Sequence, residues 1–187
     1  PKAMTDRLAE LSPIGPHQYP ITMGAPNFRQ ALARKCGRFM GRTLDPETDM
    51  VVTIGSTEAM VDTLFALTNP GDKVVMFSPY FENYRAQTLM VDCEPVFVPL
   101  VPPTFQFDPE RLEDAFRQHP KAILICNPSN PSGKVFTYDE LRLIADLCIR
   151  YDVYCIMDEV YEHIVYEGHT HTYMNSLPGM WERTVSC

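Results

Sequence analysis

Two polar clusters in this chain carry residue types that can hold and orient a charged aromatic ligand. Asp158-Glu159-Val160-Tyr161 closes one apolar run, and Asn127-Pro128-Ser129-Asn130-Pro131-Ser132-Gly133 closes the apolar run before it. A carboxylate such as Asp158 at the end of a buried strand stands at a low-dielectric rim. There it can bond a protonated pyridine nitrogen, a charge-assisted contact of roughly 1.5–3 kcal/mol. A nitrogen kept protonated in this way makes its ring an electron sink for a carbanion. The plainer alternative is a strand-terminal aspartate that caps the turn after it. Tyr161 offers a phenol that can donate to an oxygen on the same ring; its alternative is a place at the edge of the core.

Each Asn-Pro pair restricts the asparagine to extended backbone, so the loop around Asn130 is stiff and its amide is held in place. Such an amide can donate to the ring oxygen that Tyr161 would reach, or the stretch is simply a rigid turn. Gly55-Ser56-Thr57 joins an expected strand to an expected helix N-terminus. Outward-pointing amides and the helix dipole favour a phosphate there, Gly55 permits close approach, and the Ser56 and Thr57 hydroxyls add donors. Taken alone, a serine in that position is a helix cap. Phe81, after Pro79-Tyr80, can stack on a planar ring or pack in the core. His163, His169 and His171 match no structural zinc spacing and have no cysteine pair beside them, so they read as exposed loop histidines and no metal is expected. There is no G-x-S-x-G elbow, Walker A lysine or G-x-G-x-x-G fingerprint, which sets aside the usual hydrolase, nucleotidase and dinucleotide readings.

The elements that must position these clusters alternate in type. Met50 to Ile54 reads as a short buried strand, followed by a helix from about Thr57 that carries Met60, Leu64 and Leu67 on one side. Asn69-Pro70-Gly71-Asp72 stops that helix. Lys73 to Phe77 is a second strand, Phe81 to Val91 a helix and Pro95 to Leu100 an extended segment. Asp108-Pro109 opens a helix with an N-cap carboxylate and a proline at its first position. Lys121 to Cys126 is the next strand. Thr137-Tyr138-Asp139-Glu140 is a capping box for an amphipathic helix through Leu141, Ile144, Ala145 and Cys148. Val153 to Met157 is a strand, and Arg183 to Cys187 opens one more. The first 45 residues are less regular, with Pro13, Pro16, Pro20 and Pro26 breaking the early part before a helix from about Asn27 to Met40.

This alternation predicts an α/β fold, a three-layer, mainly parallel sheet flanked by helices. In such sheets ligands gather outside the carboxyl ends of the strands, where all three polar clusters lie. The composition agrees: 45% apolar and 21% charged over 187 residues is ordinary for a globular protein. A net charge of −8 disfavours nucleic acid as a partner. The longest apolar runs are strand-sized, so no membrane span is expected, and without a secretory leader the expected location is cytoplasmic. The six cysteines contain no CxxC pair, and four lie in or beside apolar runs, which suits reduced, buried thiols.

In this order, Tyr19 with Gly24, Gly55-Ser56-Thr57, Pro79-Tyr80-Phe81, Asn127 to Gly133 and Asp158-Glu159-Val160-Tyr161 resemble the class I/II aminotransferases of fold type I, from about Tyr19 onward. The resemblance implies pyridoxal 5'-phosphate as cofactor, with its pyridine nitrogen on Asp158 and its ring oxygen on Asn130 and Tyr161. It implies a phosphate held by Gly55, Ser56 and Thr57, a ring stacked on Phe81, and Tyr19 reaching the cofactor of a neighbouring subunit in a homodimer with shared active sites. The substrates it implies are a small-molecule amino acid and a 2-oxo acid. Residues 1–45 would form an N-terminal arm and helix near the dimer interface, and 46–187 a partial large cofactor-binding domain. The five lysines, at 2, 35, 73, 121 and 134, do not match the family's Schiff-base lysine. The expectation is therefore an incomplete large domain without the C-terminal small domain, with no catalytic lysine of its own and inactive alone. Such a piece would be poorly soluble or oligomeric when made by itself. A carbon–sulfur lyase or related fold type I enzyme shares every contact named, and a non-catalytic binding or structural fragment is the reading from a different class.

Overall fold

Successive residues of neighbouring strands face opposite ways, and each set meets its own layer of helices. The computed structural model describes residues 1–15, 18–19 and 21–187; Pro16 and Pro20, two of the prolines expected to break the early part, lie outside the described residues. The strands are β1 (Lys73–Ser78), β2 (Glu94–Val101), β3 (Gln106–Phe107), β4 (Ala122–Cys126), β5 (Tyr154–Asp158) and β6 (Thr184–Ser186). The helices are α1 (Lys2–Leu11), α2 (Pro26–Met40), α3 (Gly55–Leu67), α4 (Asn83–Met90), α5 (Pro109–Phe116) and α6 (Tyr138–Tyr151). The strands form one six-stranded sheet in the order β3-β2-β1-β4-β5-β6, parallel except for the β2–β3 pair.

Val75, Phe77, Ile123, Ile125, Cys155 and Met157 point to one face, where Leu112, Ala115 and Phe116 of α5 and Leu141, Ile144, Ala145 and Cys148 of α6 cover them. Val74, Met76, Ala122, Leu124, Cys126 and Ile156 point to the other, beneath Met60 and Leu64 of α3 and Tyr84 of α4. A strand buried on both faces has no polar alternation to show, which is why Ala122–Cys126 is apolar throughout. This is the α/β layering the alternation of elements predicts.

The described residues group into two compact units, Pro1–Val52 and Thr53–Cys187. Within the first, the guanidinium of Arg29 is buried and donates to the carbonyls of Gly24, at 3.1 Å, and of Pro46, and pairs with Glu47 at 3.2 Å. Gly24 has φ +96°, and a Cβ there would meet Val52 Cγ2 at 2.4 Å, so only glycine fits.

Three expectations need correction. Met50–Ile54 forms no strand, and Ile54 is 87% exposed. The run is apolar, but among the described residues no neighbouring strand pairs with it, and a strand exists only through its ladder. The early part holds a helix that was not expected, α1, steadied by Lys2–Asp6 and Arg7–Glu10 ion pairs at 2.6 Å each, with no buried residue to give it an apolar signature. The two-residue β3 was also missed. It is too short for periodicity to register, and it pairs antiparallel with β2 around Phe105, whose φ is +52°.

The capping box at α6 is present in full: Glu140 N–H donates to Thr137 Oγ1 at 3.2 Å, and Thr137 N–H donates to the Glu140 carboxylate at 2.8 Å. Thr137→Ala should therefore lower the unfolding free energy by about 0.5–2 kcal/mol with the fold retained, read by chemical denaturation. An unchanged denaturation midpoint would show the cap to be dispensable.

Candidate functional site

The register of two strands brings the two clusters together. Cys126 at the end of β4 lies opposite Asp158 at the end of β5, so both following loops leave the sheet at one level. Asn127 N–H then donates to the Asp158 carbonyl at 3.0 Å and extends the pairing by one step. Beyond it the Asn130 loop closes on itself, with Ser129 N–H on Lys134 O and Gly133 N–H on Ser129 O, both at 2.8 Å.

Asp158 is buried. Its Oδ2 accepts from the Tyr84 hydroxyl at 2.6 Å and its Oδ1 from Val160 N–H at 3.2 Å. The turn-capping role and the ligand-facing role thus coexist, one through each oxygen, and lone pairs remain on both. Tyr84 stands on α4, three residues after Phe81, and the two rings meet edge to face at 5.7 Å. The turn into α4, closed by Tyr84 N–H on the Phe81 carbonyl at 3.0 Å, therefore links the expected stacking ring to the expected ring-nitrogen partner. Burial, reinforced by the neighbouring Cys126 and Asp158, holds the Tyr84 phenol far above its ordinary ionisation range. Burial likewise raises the Cys126 thiol, whose Sγ–H donates to the Pro128 carbonyl at 3.1 Å. The Cys187 thiol, 3.9 Å from Thr63 Oγ1, is pushed up to about 11, again chiefly by burial. The Tyr84 phenol and the Cys126 and Cys187 thiols therefore keep their protons near neutral pH.

Tyr161 and Phe81 are half-buried against the same apolar cluster as Tyr84. Asn130 and Tyr161 line one cleft of about 390 Å³, with Val135, Ile164 and Tyr166 among its walls. Gly55 takes φ +74° at the start of α3, with open space where a Cβ would lie. Glu58 turns back to cap the Ile54 N–H, and Gln87 Nε2 on α4 donates to the Thr57 carbonyl at 2.9 Å, tying the α3 terminus to the helix that carries Tyr84. Among the described residues, the Asn130 side-chain amide, the Tyr161 hydroxyl and the Ser56 and Thr57 hydroxyls make no hydrogen bond, so these donors are uncommitted. Tyr19 belongs to the other unit and is 95% exposed, with φ +53°.

Lys134 is bound elsewhere. Its Nζ pairs with Glu140 at 2.6 Å and lies 5.0 Å from the centre of the Phe136 ring, which anchors the Asn130 loop to the start of α6. One histidine reading is corrected: His163 and His169 are exposed, but the His171 side chain is only 6% exposed and its Nε2 lies 3.3 Å from Glu159 Oε1. Sequence reasoning missed His171, Glu159 and Tyr84. Only Tyr84 had a usable signal, its helical spacing from Phe81; the His171 contact spans a loop that no periodicity describes. No cluster of three or more potential metal ligands occurs among the described residues, and none of their helices is long and apolar enough to cross a membrane.

Known proteins resemble this chain in sequence and fold. The family described as aminotransferase class I and II matches residues 2–185. Kynurenine–oxoglutarate transaminase 3 of Mus musculus is 40% identical over 180 residues, covering 91% of this chain and 40% of its own length. Kynurenine–oxoglutarate transaminase 1 of Homo sapiens is 40% identical over 181 residues, covering 91% and 43%. N-succinyldiaminopimelate aminotransferase from Mycobacterium tuberculosis superposes with a TM-score of 0.94 at 34% identity, over 100% of this chain and 49% of that one. Aromatic aminotransferase from Pyrococcus horikoshii gives 0.94 at 31%, over 100% and 50%. The chain thus spans less than half the length of these curated relatives.

Tyr84 yields a pH prediction. Its ionisation is raised in the fold above the ordinary value of 10.0, so its contribution to stability is full below pH 10 and is lost as pH rises beyond it, where the unfolded state gives up the proton first. Tyr84→Phe should lower stability near pH 7 by about 1–3 kcal/mol, because a buried carboxylate oxygen loses its donor. The same variant should show a shallower loss of stability above pH 10. Parallel alkaline denaturation profiles for the two proteins would contradict this.

Proposed function

This chain belongs to the aminotransferase class I and II family, and we propose that the protein carrying it moves an amino group between an amino acid and a 2-oxo acid, using pyridoxal 5'-phosphate held at the Asp158 rim. The observation that carries this reading is a buried carboxylate at the carboxyl end of β5 with uncommitted donors on the loops around it. Its chemistry fits the group. Asp158 would accept a hydrogen bond from a protonated pyridine nitrogen while Tyr84 and Val160 hold the carboxylate in one orientation. Asn130 and Tyr161 would donate to the ring oxygen. The first turn of α3, with Gly55, Ser56 and Thr57, would hold the phosphate with amide donors and the positive end of the helix dipole. Phe81 would cover the ring. When bound, the cofactor supplies the electron sink that takes up the pair left by proton loss at the substrate's α-carbon.

Tyr19, exposed on the other unit, is assigned to the cofactor phosphate of a second copy, which makes the working form a homodimer. Lys134 is not assigned the covalent role, since its ammonium is committed to Glu140. The family membership and the geometry around Asp158 support this reading over a purely structural role.

The test uses the protein encoded by the complete reading frame that contains this chain. Asp158→Ala should abolish amino transfer while a thermal melt still shows a cooperative fold, and Asn130→Ala should be milder because Tyr161 serves the same oxygen. Near-normal turnover in Asp158→Ala would overturn the assignment. Release of ammonia or a thiol without any oxo-acid acceptor would redirect it to a lyase on the same contacts.

A further inference from the structure

Two loops carry the ring-oxygen donors, Asn130 after β4 and Tyr161 after β5, and a third segment bridges both. His171 Nδ1 lies 3.5 Å from Asn127 Nδ2, and His171 Nε2 lies 3.3 Å from Glu159 Oε1. The side chains of His171 and Glu159 are 6% and 5% exposed, and Asn127 is fully buried. Two residues on, the Tyr173 hydroxyl donates to Glu162 at 2.6 Å, and its ring packs edge-on against His171 at 4.6 Å.

The proton positions follow from the contacts. Phe136 N–H donates to Asn127 Oδ1 at 3.0 Å, so the oxygen of that amide faces the backbone and its NH₂ faces His171. Nδ1 of His171 must then accept, which leaves the proton on Nε2, and Nε2–H donates to Glu159. Imidazole suits this place because its two nitrogens, one accepting and one donating, reach opposite neighbours at once. A proton on Nδ1 would set N–H against the Asn127 amide. In a buried setting each of these bonds is electrostatically stronger than in water, and losing one leaves a polar group unpaired.

We propose that His171 is a positioning residue that ties the Asn130 loop to the Asp158–Tyr161 turn, and so sets the spacing between the two donors to the cofactor's ring oxygen. The inference rests on the reading of Asn130 and Tyr161 given above. The hydrogen-bonding contacts of His171 go to Asn127 and Glu159, not to either donor side chain. It acts through Asn127, three residues before Asn130, and through Glu159, two before Tyr161.

The test begins without cofactor, on the protein carrying this chain labelled with ¹⁵N-histidine. Long-range ¹H–¹⁵N spectra, with His171 assigned by the signal lost in His171→Gln, should show the Nε2–H tautomer. An Nδ1–H tautomer, or an average of the two, overturns the proposal. His171→Asn keeps the acceptor toward Asn127 but not the reach to Glu159, and His171→Gln does the reverse. Either should speed amide exchange in segments 127–135 and 158–164 by roughly three- to tenfold, the equivalent of one net hydrogen bond, with β4 as the unaffected control. Binding of pyridoxal 5'-phosphate, read by equilibrium dialysis, should weaken by a similar factor, and the absorption maximum of the bound ring should shift. Exchange and binding like those of the parent protein in both folded variants would overturn the tether. Faster exchange with unaltered binding and spectrum would overturn its link to the ring oxygen. A parent protein that takes up no pyridoxal 5'-phosphate would overturn the cofactor reading instead, and the tautomer and exchange results would still decide whether His171 is the tether.

Discussion

A carboxylate buried at the end of a strand is costly unless its oxygens are paired, and the site is organised around that requirement. Asp158 sits where β5 leaves a sheet covered on both faces. Water has little access, so the chain itself must supply partners. It does so from two directions: a phenol on α4 for one oxygen and a backbone amide two residues on for the other. Each fixes the carboxylate, and neither exhausts its capacity to accept. A group held in this way is ready for a cationic hydrogen-bond donor with little reorganisation left to undergo.

The same logic extends outward. The Asn130 loop does not satisfy all its polar groups internally, so Asn127 turns its amide inward, Lys134 is drawn into a half-buried pair with Glu140, and Glu140 in turn caps α6. On the opposite flank Gln87 joins the start of α3 to α4, and α4 holds Tyr84 against Asp158. Two helices, two loops and one histidine strap thus converge on one sheet edge. The anchoring contacts spare the side-chain donors assigned to the ligand: they end on the Asp158 carboxylate and on main-chain carbonyls such as that of Thr57. That division leaves the assigned donors free while their backbones are constrained.

Much of this was legible in the chain. The apolar runs of β1, β4 and β5, the Asp108 and Thr137 caps and the polar clusters at strand ends are all local signals, set by the side chains of consecutive residues. Met50–Ile54 shows the limit of such signals. Its residues suit a strand, yet a strand requires a neighbour, and nothing within five residues reports one. His171 shows the opposite error: in a stretch of polar and aromatic residues it looked solvent-exposed, and only the folding of that stretch across two loops buries it.

By itself the sequence determined which residues could do chemistry and which kind of element would present them, because residue type, capping and periodicity act over a few positions. The tertiary structure alone decided that Cys126 and Asp158 share a register, that Tyr84 supplies the bond to Asp158, and that His171 closes on Glu159. Those are contacts between residues 12 to 74 positions apart. They form because burying two faces of one sheet leaves a single arrangement in which the polar groups at its edge can satisfy one another.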